Sequence, residues 1–153
     1  MPPQLHPTSD ADKNSFAVQL GAAPEHIATA RHRLAYWLDN IAVKPPQVHD
    51  VLLAVGEAVA NAVEHGSQLD PSKVVVVQAS VRDETLTVTV SDPGRWTSPL
   101  DASANLSRHR GRGLFLINEL ADDVDIVHSG QGTHFTMQFD VSERSALRLT
   151  GTT

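Results

Sequence analysis

The stretch EAVANAVEH (residues 57–65) is the most informative part of this 153-residue chain. Its polar side chains Glu57, Asn61 and His65 recur at steps of four residues. Because four residues advance about 400° around an α-helix, these side chains are predicted to form one slanting ridge. The residues around the ridge are small: Ala54, Gly56, Ala58 and Ala60. We expect this floor to let a bulky ligand approach the helix, although functionless polar faces are also common on amphipathic helices.

The helix that carries the ridge is predicted at residues 47–64, after the helix-breaking pair Pro45-Pro46 and before the stop signal Gly66. Its apolar stripe consists of Val48, Leu52, Val55, Val59 and Ala62. With Val48 at the centre of the stripe, Glu57 lies on roughly the opposite side of the helix and Asn61 about 40° further round. The stripe therefore predicts a buried face, and the ridge predicts a face open to a ligand.

The rest of the chain shows the periods of strands and helices. Alternating and β-branched stretches predict strands at residues 15–20, 74–81, 86–90, 124–128 and 134–141, with Asp83-Glu84 as a turn. Helices are predicted at residues 24–43 and 114–120, and a long loop at residues 93–110. This order predicts a two-layer α/β sandwich, in which helices cover one face of a mixed, mostly antiparallel sheet.

The overall composition predicts one soluble domain at residues 14–143, with flexible segments at 1–13 and 144–153. Apolar residues make up 41% of the chain and charged residues 20%, as in ordinary globular proteins. The net charge of −6 argues against direct binding to nucleic acid or to an anionic membrane. No stretch approaches the ~18 apolar residues of a membrane helix. The N-terminus lacks the features of a secretory signal, so we expect a cytoplasmic location.

Several kinds of site are missing from the sequence. The absence of cysteine excludes a disulfide framework, a thiolate zinc site and a cysteine nucleophile. There is no Walker A motif, no G-x-S-x-G elbow and no metal-binding spacing of histidines. Gly111-Arg112-Gly113 lacks the third glycine of a Rossmann turn. We expect His26 and His32 at the surface of the first helix.

The segment Ser91-Asp92-Pro93-Gly94-Arg95 follows the strand predicted at residues 86–90. Proline followed by glycine is typical of the two central positions of a type II turn. Alternatively, Asp92 is a buried carboxylate that accepts a hydrogen bond from a ligand amine, while Gly94 lets a flat ring lie against the backbone. The residues alone leave both interpretations open.

A basic segment, Arg108 to Gly113, precedes the helix predicted at residues 114–120. Helix N-termini offer free N–H groups and a partial positive charge, and glycines let phosphate oxygens reach them. Arginine adds multidentate phosphate donors, although such a segment is also typical of a solvated basic loop. Gly130-Gln131-Gly132-Thr133 is typical of a hairpin turn. Together, the elements supply a carboxylate for an amine, an amide for a metal and an anion-binding helix end, which are the parts of a nucleotide site without a P-loop.

At these residues the chain resembles the GHKL nucleotide-binding superfamily of gyrase-type ATPases, large heat-shock chaperones and sensor histidine kinases. The resemblance spans about residues 15–141 and is strongest to the anti-sigma-factor serine kinases of the RsbW type. Residues 57–65 resemble the N-box of that family, and Asp92-Pro93-Gly94 resembles its adenine-binding G1 box. Residues 111–114 are similar to its G2 box, and Gly132-Thr133 to its final threonine segment.

The resemblance implies a role for each matched residue. Glu57 would be the general base on a protein serine, and Asn61 would ligate Mg²⁺ between the phosphates of ATP. Asp92 would bind the adenine amino group, Gly94 would lie beside the ring, and Thr133 would bridge to the same site through water. The phosphates would contact the N–H groups of Gly111, Arg112 and Gly113, with His65, Arg108 and Arg110 as further candidates.

The resemblance implies an anti-sigma factor with serine/threonine protein kinase activity that uses ATP and Mg²⁺. It would sequester a sigma factor, phosphorylate a serine of a STAS-type anti-anti-sigma factor and form a homodimer. The G1 box of the family usually reads Asp-x-Gly-x-Gly. Here Arg95 and Trp96 occupy its last two positions, so the second glycine is missing. This departure motivates an alternative, a binding module with little or no kinase activity. A third possibility is an ATP hydrolase or a histidine kinase fragment, although no phosphoacceptor-histidine hairpin precedes the domain.

Overall fold

A computed structural model describes residues 12–68, 70–94 and 108–143. Within these residues, five strands form one sheet in the order β1-β2-β3-β5-β4, and each neighbouring pair is antiparallel. The strands are β1 Ser15–Gly21, β2 Val74–Arg82, β3 Thr85–Asp92, β4 Asp123–Ser129 and β5 Gly132–Asp140. The helices are α1 Glu25–Asn40, α2 Pro45–Asn61 and α3 Arg108–Leu120. The predicted α/β sandwich is confirmed, with a fully antiparallel sheet in the described residues.

The sheet is amphipathic because successive side chains of a strand point to opposite faces. In β3, Leu86, Val88 and Val90 are buried, and the threonines between them are only half-buried. The inward residues of the strands share one core with Leu34 and Leu38 of α1 and with residues of α2. The helices therefore cover one face of the sheet. The opposite face carries small polar side chains such as Thr89 and Thr136, whose hydroxyl oxygens are 3.1 Å apart.

The turn between β2 and β3 is formed by Asp83 and Glu84, as predicted. Both residues have positive φ angles, 52° and 65°. Two consecutive residues with positive φ are typical of the type I′ turn, whose twist matches that of a β-hairpin. This short connection fixes the register of β2 against β3. On its other side β3 pairs with β5, where Asp92 lies beside Thr133.

The predicted buried face of α2 was partly wrong. Val48 and Leu52 are only partly buried, whereas Val51, Ala54 and Ala58 are almost completely buried. The reason is that α2 packs against α1 and α3 as well as against the sheet. The expected ligand floor at Ala54 and Ala58 is therefore part of the core. The helix also begins at Pro45, because proline is compatible with a first helical turn.

Helix α3 begins at Arg108, six residues before its predicted start at residue 114. The predicted loop is correspondingly shorter, and its residues 95–107 lie outside the described part of the chain. Gly111 and Gly113 thus lie within α3, although each glycine costs a helix about 1 kcal/mol relative to alanine. Packing explains this tolerance at Gly113, which is buried where α3 meets α2.

The chain termini were predicted to be flexible. Residues 1–11 and 144–153 lie outside the described part of the chain. Asp12–Asn14 form a single 3₁₀ turn, and the Lys13 carbonyl accepts a hydrogen bond of 3.0 Å from the indole N–H of Trp37. The start of β1 is therefore attached to α1.

Candidate functional site

One end of the candidate site lies on the last two turns of α2. Asn61 is the last residue of α2 and is 8% exposed, and Glu57 lies one helical turn earlier and is half-buried. Their spacing places both side chains on the same side of the helix. The predicted ridge is therefore present from Glu57 to Asn61.

The ridge does not continue regularly to His65. After Asn61 the helix widens into a π-helical turn, Ala62–Gly66, and the Ser67 N–H bonds to the Ala62 carbonyl at 2.9 Å. This bond spans five residues rather than four, so His65 is rotated away from the line through Glu57 and Asn61. The half-buried His65 ring lies 3.6 Å from the carboxylate of Glu64.

Helix α3 contributes Gly113 to this end of the site. A Cβ atom at Gly113 would lie 3.0 Å from Glu57 Oε2 and 3.9 Å from Asn61 Nδ2. The backbone of α3 therefore lies directly against the two polar side chains of α2, and a larger residue at position 113 would fill the space between them. We name Glu57, Asn61 and Gly113 the α2–α3 end of the site.

The predicted phosphate-binding N–H groups need a correction. In a helix whose first residue is Arg108, the N–H groups of the first three residues have no helical acceptor, whereas each later N–H group points toward the carbonyl four residues earlier. The three predicted groups, at Gly111, Arg112 and Gly113, therefore lie just inside the helical hydrogen-bond pattern, and Gly111 is the nearest of them to the free end. The side chains of Arg108, Arg110 and Arg112 lie outside what the structure describes.

The other end of the site lies where β3 ends. Asp92 is 5% exposed, and its Oδ1 accepts a hydrogen bond of 2.8 Å from the Gly94 N–H. Of the two interpretations of this segment, the buried carboxylate at a strand end is therefore present, and it folds the following residues back by a local hydrogen bond. A carboxylate has about four acceptor positions, so the bond to Gly94 does not saturate it.

Three glycines enclose Asp92 and the turn that follows it. A Cβ at Gly66 would overlap the Asp92 carboxyl group, and a Cβ at Gly94 would overlap the Gly66 carbonyl. Gly132 has a φ of +136°, and its Cβ would overlap the Asp92 carbonyl. From the sequence, Gly66 is predicted to be a helix stop and Gly132 part of a hairpin turn. Their contacts join residues far apart in the chain, so only the strand register could have indicated them.

Thr133 completes this end of the site. It is fully buried, and its hydroxyl donates a hydrogen bond of 3.0 Å to the Gly94 carbonyl. His128 Nδ1 lies 3.1 Å from the same hydroxyl oxygen. The β-sheet thus brings together Asp92, Gly94 and Thr133, which we name the sheet end of the site. The predicted hairpin between β4 and β5 is confirmed by the pairing of Ser129 with Gly132.

The two ends of the site lie on either side of the π-helical turn. Asn61 immediately precedes this turn, and Gly66, its last residue, contacts Asp92. The remaining predicted histidines are separate from both ends. His32 is exposed, as expected, whereas half-buried His26 has its Nδ1 2.7 Å from the Gly21 carbonyl oxygen.

The oxygen donors of the α2–α3 end suit a magnesium ion. Mg²⁺ prefers oxygen ligands and typically takes one or two from the protein, with the rest from water and substrate phosphates. Asn61 and Glu57 supply an amide and a carboxylate, and the missing side chain of Gly113 leaves a cradle beside them. In the described residues no group of three or more His, Asp and Glu side chains is arranged to hold a metal by itself.

A shallow depression of about 550 Å³ lies over β1, β2 and β3, away from both ends of the site. Its lining consists of Ser15, Phe16, Ala17, Gln78, Ala79, Ser80, Thr87 and Thr89. None of these side chains is titratable, so the depression lacks the acid–base chemistry present at Glu57 and Asp92. Across the described ranges, no helix combines the length and hydropathy needed to cross a membrane.

Comparison with known proteins places the chain in a family. The sequence model of the family described as "Histidine kinase-like ATPase domain" matches residues 20–139. The chain is 28% identical over 142 residues to the serine-protein kinase RsbW of Listeria monocytogenes, covering 86% of this chain and 90% of the relative. It is 26% identical over 133 residues to the anti-sigma F factor of Clostridium perfringens, covering 82% of this chain and 95% of the relative.

Solved structures give a matching result. A structure of the RsbU and RsbW domains of Rv1364c from Mycobacterium tuberculosis aligns with a TM-score of 0.66 and 26% identity. The alignment covers 83% of this chain but only 32% of that protein. The histidine kinase domain of a blue-light activated kinase from Erythrobacter litoralis aligns with a TM-score of 0.55 and 20% identity, over 79% of this chain and 64% of that one. At that identity, the second alignment shows a shared fold.

Proposed function

The chain belongs to the family of histidine kinase-like ATPase domains, and from that premise we propose that it is an ATP-dependent serine/threonine protein kinase that acts as an anti-sigma factor. One observation carries the proposal. Glu57, Asn61 and Gly113 meet on one side of the π-helical turn, and buried Asp92 lies with Gly94 and Thr133 on the other. A nucleotide could thus bind with its base at the sheet end and its phosphates at the α2–α3 end.

The names of the relatives support the protein partners in this proposal. Both an anti-sigma F factor and the serine-protein kinase RsbW match this chain over 90% or more of their own length. We therefore propose that the protein sequesters a sigma factor and phosphorylates a serine of a STAS-type anti-anti-sigma factor. A homodimer and a cytoplasmic location are further parts of the same proposal.

In this mechanism Glu57 is the catalytic residue. Its half-buried carboxylate lies beside Gly113 and is the group that the serine hydroxyl would approach. A carboxylate within hydrogen-bond reach can take the serine proton as the serine oxygen attacks the terminal phosphate. Asn61 would hold Mg²⁺ through its amide oxygen. When bound, Mg²⁺ neutralises charge on the transferring phosphoryl group.

The sheet end would bind the base of ATP. The Asp92 carboxylate would accept a hydrogen bond from the adenine amino group, and Gly94 would lie beside the ring. Thr133 would contact the same group through water by the second lone pair of its hydroxyl. The proposed phosphate contacts comprise the backbone N–H groups at Gly111, Arg112 and Gly113 and the side chains of His65, Arg108 and Arg110. Of these N–H groups, that of Gly111 lies nearest to the free N-terminal turn of the helix.

Two measurements test the proposal in sequence. Titration calorimetry with ATP and Mg²⁺ needs no protein partner, and we expect saturable binding at one site. No binding up to millimolar ATP would contradict the nucleotide site itself. Transfer of labelled γ-phosphate to a STAS-domain partner then tests the kinase.

The first prediction concerns Glu57→Gln. We expect it to lower phosphoryl transfer by a factor of about 10²–10⁴, the usual contribution of a general base, while ATP affinity stays within about threefold. Glu119→Gln is the matched control, because Glu119 is exposed on α3 and its substitution removes the same charge. Unchanged transfer in Glu57→Gln would reject the assigned base.

A second candidate function is a sigma-binding module with little kinase activity. The helical course of residues 111–113 favours it, because it directs their N–H groups toward helical carbonyls rather than toward a phosphate. This candidate predicts a stable complex with a sigma factor in size-exclusion chromatography and no label transfer. An acid-labile phosphohistidine product would instead indicate a histidine kinase fragment, and ATP hydrolysis without a phosphoprotein would indicate a hydrolase.

A further inference from the structure

His128 lies near the end of β4 and belongs to none of the motifs considered above. It pairs with Thr133 across the β4–β5 ladder, and its Nδ1 is 3.1 Å from the Thr133 hydroxyl oxygen. Thr133 also pairs with Asp92 on its other side, in the β3–β5 ladder. His128 is therefore joined to the sheet end of the site through one buried hydroxyl group.

The direction of these hydrogen bonds follows from the number of available protons. The Thr133 hydroxyl has a single proton, which it donates to the Gly94 carbonyl oxygen at 3.0 Å. Toward His128 the hydroxyl must therefore act as an acceptor, and His128 must be the donor. This requires a proton on Nδ1 of His128. The neutral side chain is then the tautomer with its lone pair on Nε2.

The result is a chain of two hydrogen bonds that ends at the Gly94 carbonyl, followed by a separate bond that joins the Gly94 N–H to Asp92. His128 Nδ1–H donates to Thr133, and Thr133 donates to the Gly94 carbonyl. The N–H of Gly94 in turn donates to Asp92 Oδ1 at 2.8 Å. The two bonds through the Thr133 hydroxyl polarise and strengthen one another. The Gly94 carbonyl and N–H belong to different peptide groups, so the bond to Asp92 is coupled to them through the position of the Gly94 backbone. Both polar groups of the Gly94 backbone are thus fixed by side chains, one of them through His128.

We propose that His128 is a positioning residue for the base end of the nucleotide site, acting through the Thr133 hydroxyl on Gly94 and Asp92. The inference rests on the proposed ATP-binding function, and it adds a residue outside the motifs of the resemblance. The required property of residue 128 is a hydrogen-bond donor at the position of Nδ1. An acceptor at that position would draw the Thr133 proton away from Gly94 and release the carbonyl.

The test compares His128→Asn with His128→Asp, which are nearly identical in shape. The Asn amide nitrogen can donate in place of Nδ1, whereas the Asp carboxylate can only accept. We expect the ATP dissociation constant of His128→Asn to stay within about threefold of the wild type and that of His128→Asp to rise about tenfold. The KM for ATP should rise similarly in His128→Asp, with kcat at saturating ATP within about twofold. Equal affinities of the two variants would overturn the proposal.

Two further variants separate this role from charge and from packing. Gln131→Glu adds a negative charge in the exposed turn beside the site, and we expect it to change the ATP dissociation constant less than twofold. A loss as large as that in His128→Asp would reject the donor argument. In a Thr133→Val background, His128→Asp should produce no additional loss, because the intermediary hydroxyl is gone. A full additional tenfold loss would show that His128 does not act through Thr133.

The tautomer of His128 is a readout that does not depend on ATP. Long-range ¹⁵N–¹H NMR spectra of the wild-type protein should show the proton on Nδ1, and a proton on Nε2 alone would overturn the proposal. If His128→Asp does not fold, this measurement still tests whether His128 is the donor to Thr133. Binding of ATP by the wild type with equal affinities of the Asn and Asp variants would reject the role of His128 alone. Absence of ATP binding by the wild type would reject the proposed function as well.

Discussion

The two ends of the candidate site are built in different ways. At the sheet end, Asp92, Gly94 and Thr133 are fixed by strand register, by hydrogen bonds of 2.8 and 3.0 Å and by backbone contacts that leave no room for a Cβ. At the α2–α3 end, two flexible side chains, Glu57 and Asn61, face the backbone of a second helix across Gly113. The first end is therefore rigid because backbone meets backbone, whereas the second can adjust by side-chain rotation.

Among the changes that test this contrast, the largest effect on stability and ATP affinity is expected from Gly94→Ala, which tests the rigidity of the sheet end. The new Cβ would overlap the Gly66 carbonyl, a backbone group that cannot rotate away. We expect the free energy of unfolding to fall by about 1–3 kcal/mol, as for other overpacked positions, and the ATP dissociation constant to rise more than tenfold. Chemical denaturation and calorimetry measure the two quantities.

Gly130→Ala is the matched control for this change. Gly130 lies in the turn between β4 and β5, with no atom within 4 Å of its Cβ position. We expect its stability and ATP affinity to equal those of the wild type. If Gly94→Ala behaved like Gly130→Ala, the sheet end would be as adaptable as the α2–α3 end and the contrast would fail.

An intermediate effect is expected from Gly113→Ala, which should preserve or raise stability but lower activity. Its Cβ would lie 3.0 Å from Glu57 Oε2, the end of a side chain that can rotate away. Because alanine favours helix over glycine by about 1 kcal/mol, the variant should be as stable as the wild type or more so. Displacement of Glu57 should nevertheless lower phosphoryl transfer about tenfold. Lower stability together with full activity would contradict the description of this end.

The smallest effect is expected from Asp70→Asn, in the segment between the π-helical turn and β2. Hydrogen bonds from the Ser72 hydroxyl and N–H lower the pKa of Asp70, which is half-buried. A lowered folded-state pKa gives a stability contribution that is present above about pH 4 and is lost as the pH falls through the folded-state pKa. The wild type should thus be slightly more stable than the variant at pH 7 and equal to it near pH 2.

Urea denaturation of both proteins across this pH range measures the difference. ATP affinity at pH 7 should be the same in the two proteins, because Asp70 belongs to neither end of the site. A changed affinity would extend the sheet end into the segment that precedes β2.

The same contrast explains what could be predicted from the sequence. The α2–α3 end depends on helical spacing, so the position of Glu57 and Asn61 on one side of the helix could be predicted from their four-residue step. The β2–β3 turn at Asp83-Glu84 was likewise predictable, because its chemistry is local. Asp92 could be singled out as a candidate, but the residues alone left both the turn and the ligand-binding interpretation open until its burial was known.

What could not be predicted depends on contacts between distant segments. Gly66 and Gly132 lie beside Asp92 because of the sheet register, and no local pattern distinguishes them from ordinary turn glycines. His128 becomes informative only when Thr133 is known to donate to Gly94. The early start of α3 was missed because glycine disfavours helix, whereas packing against α2 outweighs that preference at Gly113.

The π-helical turn Ala62–Gly66 determines how the end of α2 is oriented relative to the end of β3. An α-helix repeats every 3.6 residues, and a π-helical turn delays that repeat as one inserted residue would. The direction of the Asn61 side chain is set by the regular α-helix before the turn. Gly66 faces Asp92 only because of the extra rotation that the turn introduces. Insertions or deletions between these two residues would therefore shift one end of the site relative to the other, while substitutions that keep the count leave the two ends aligned.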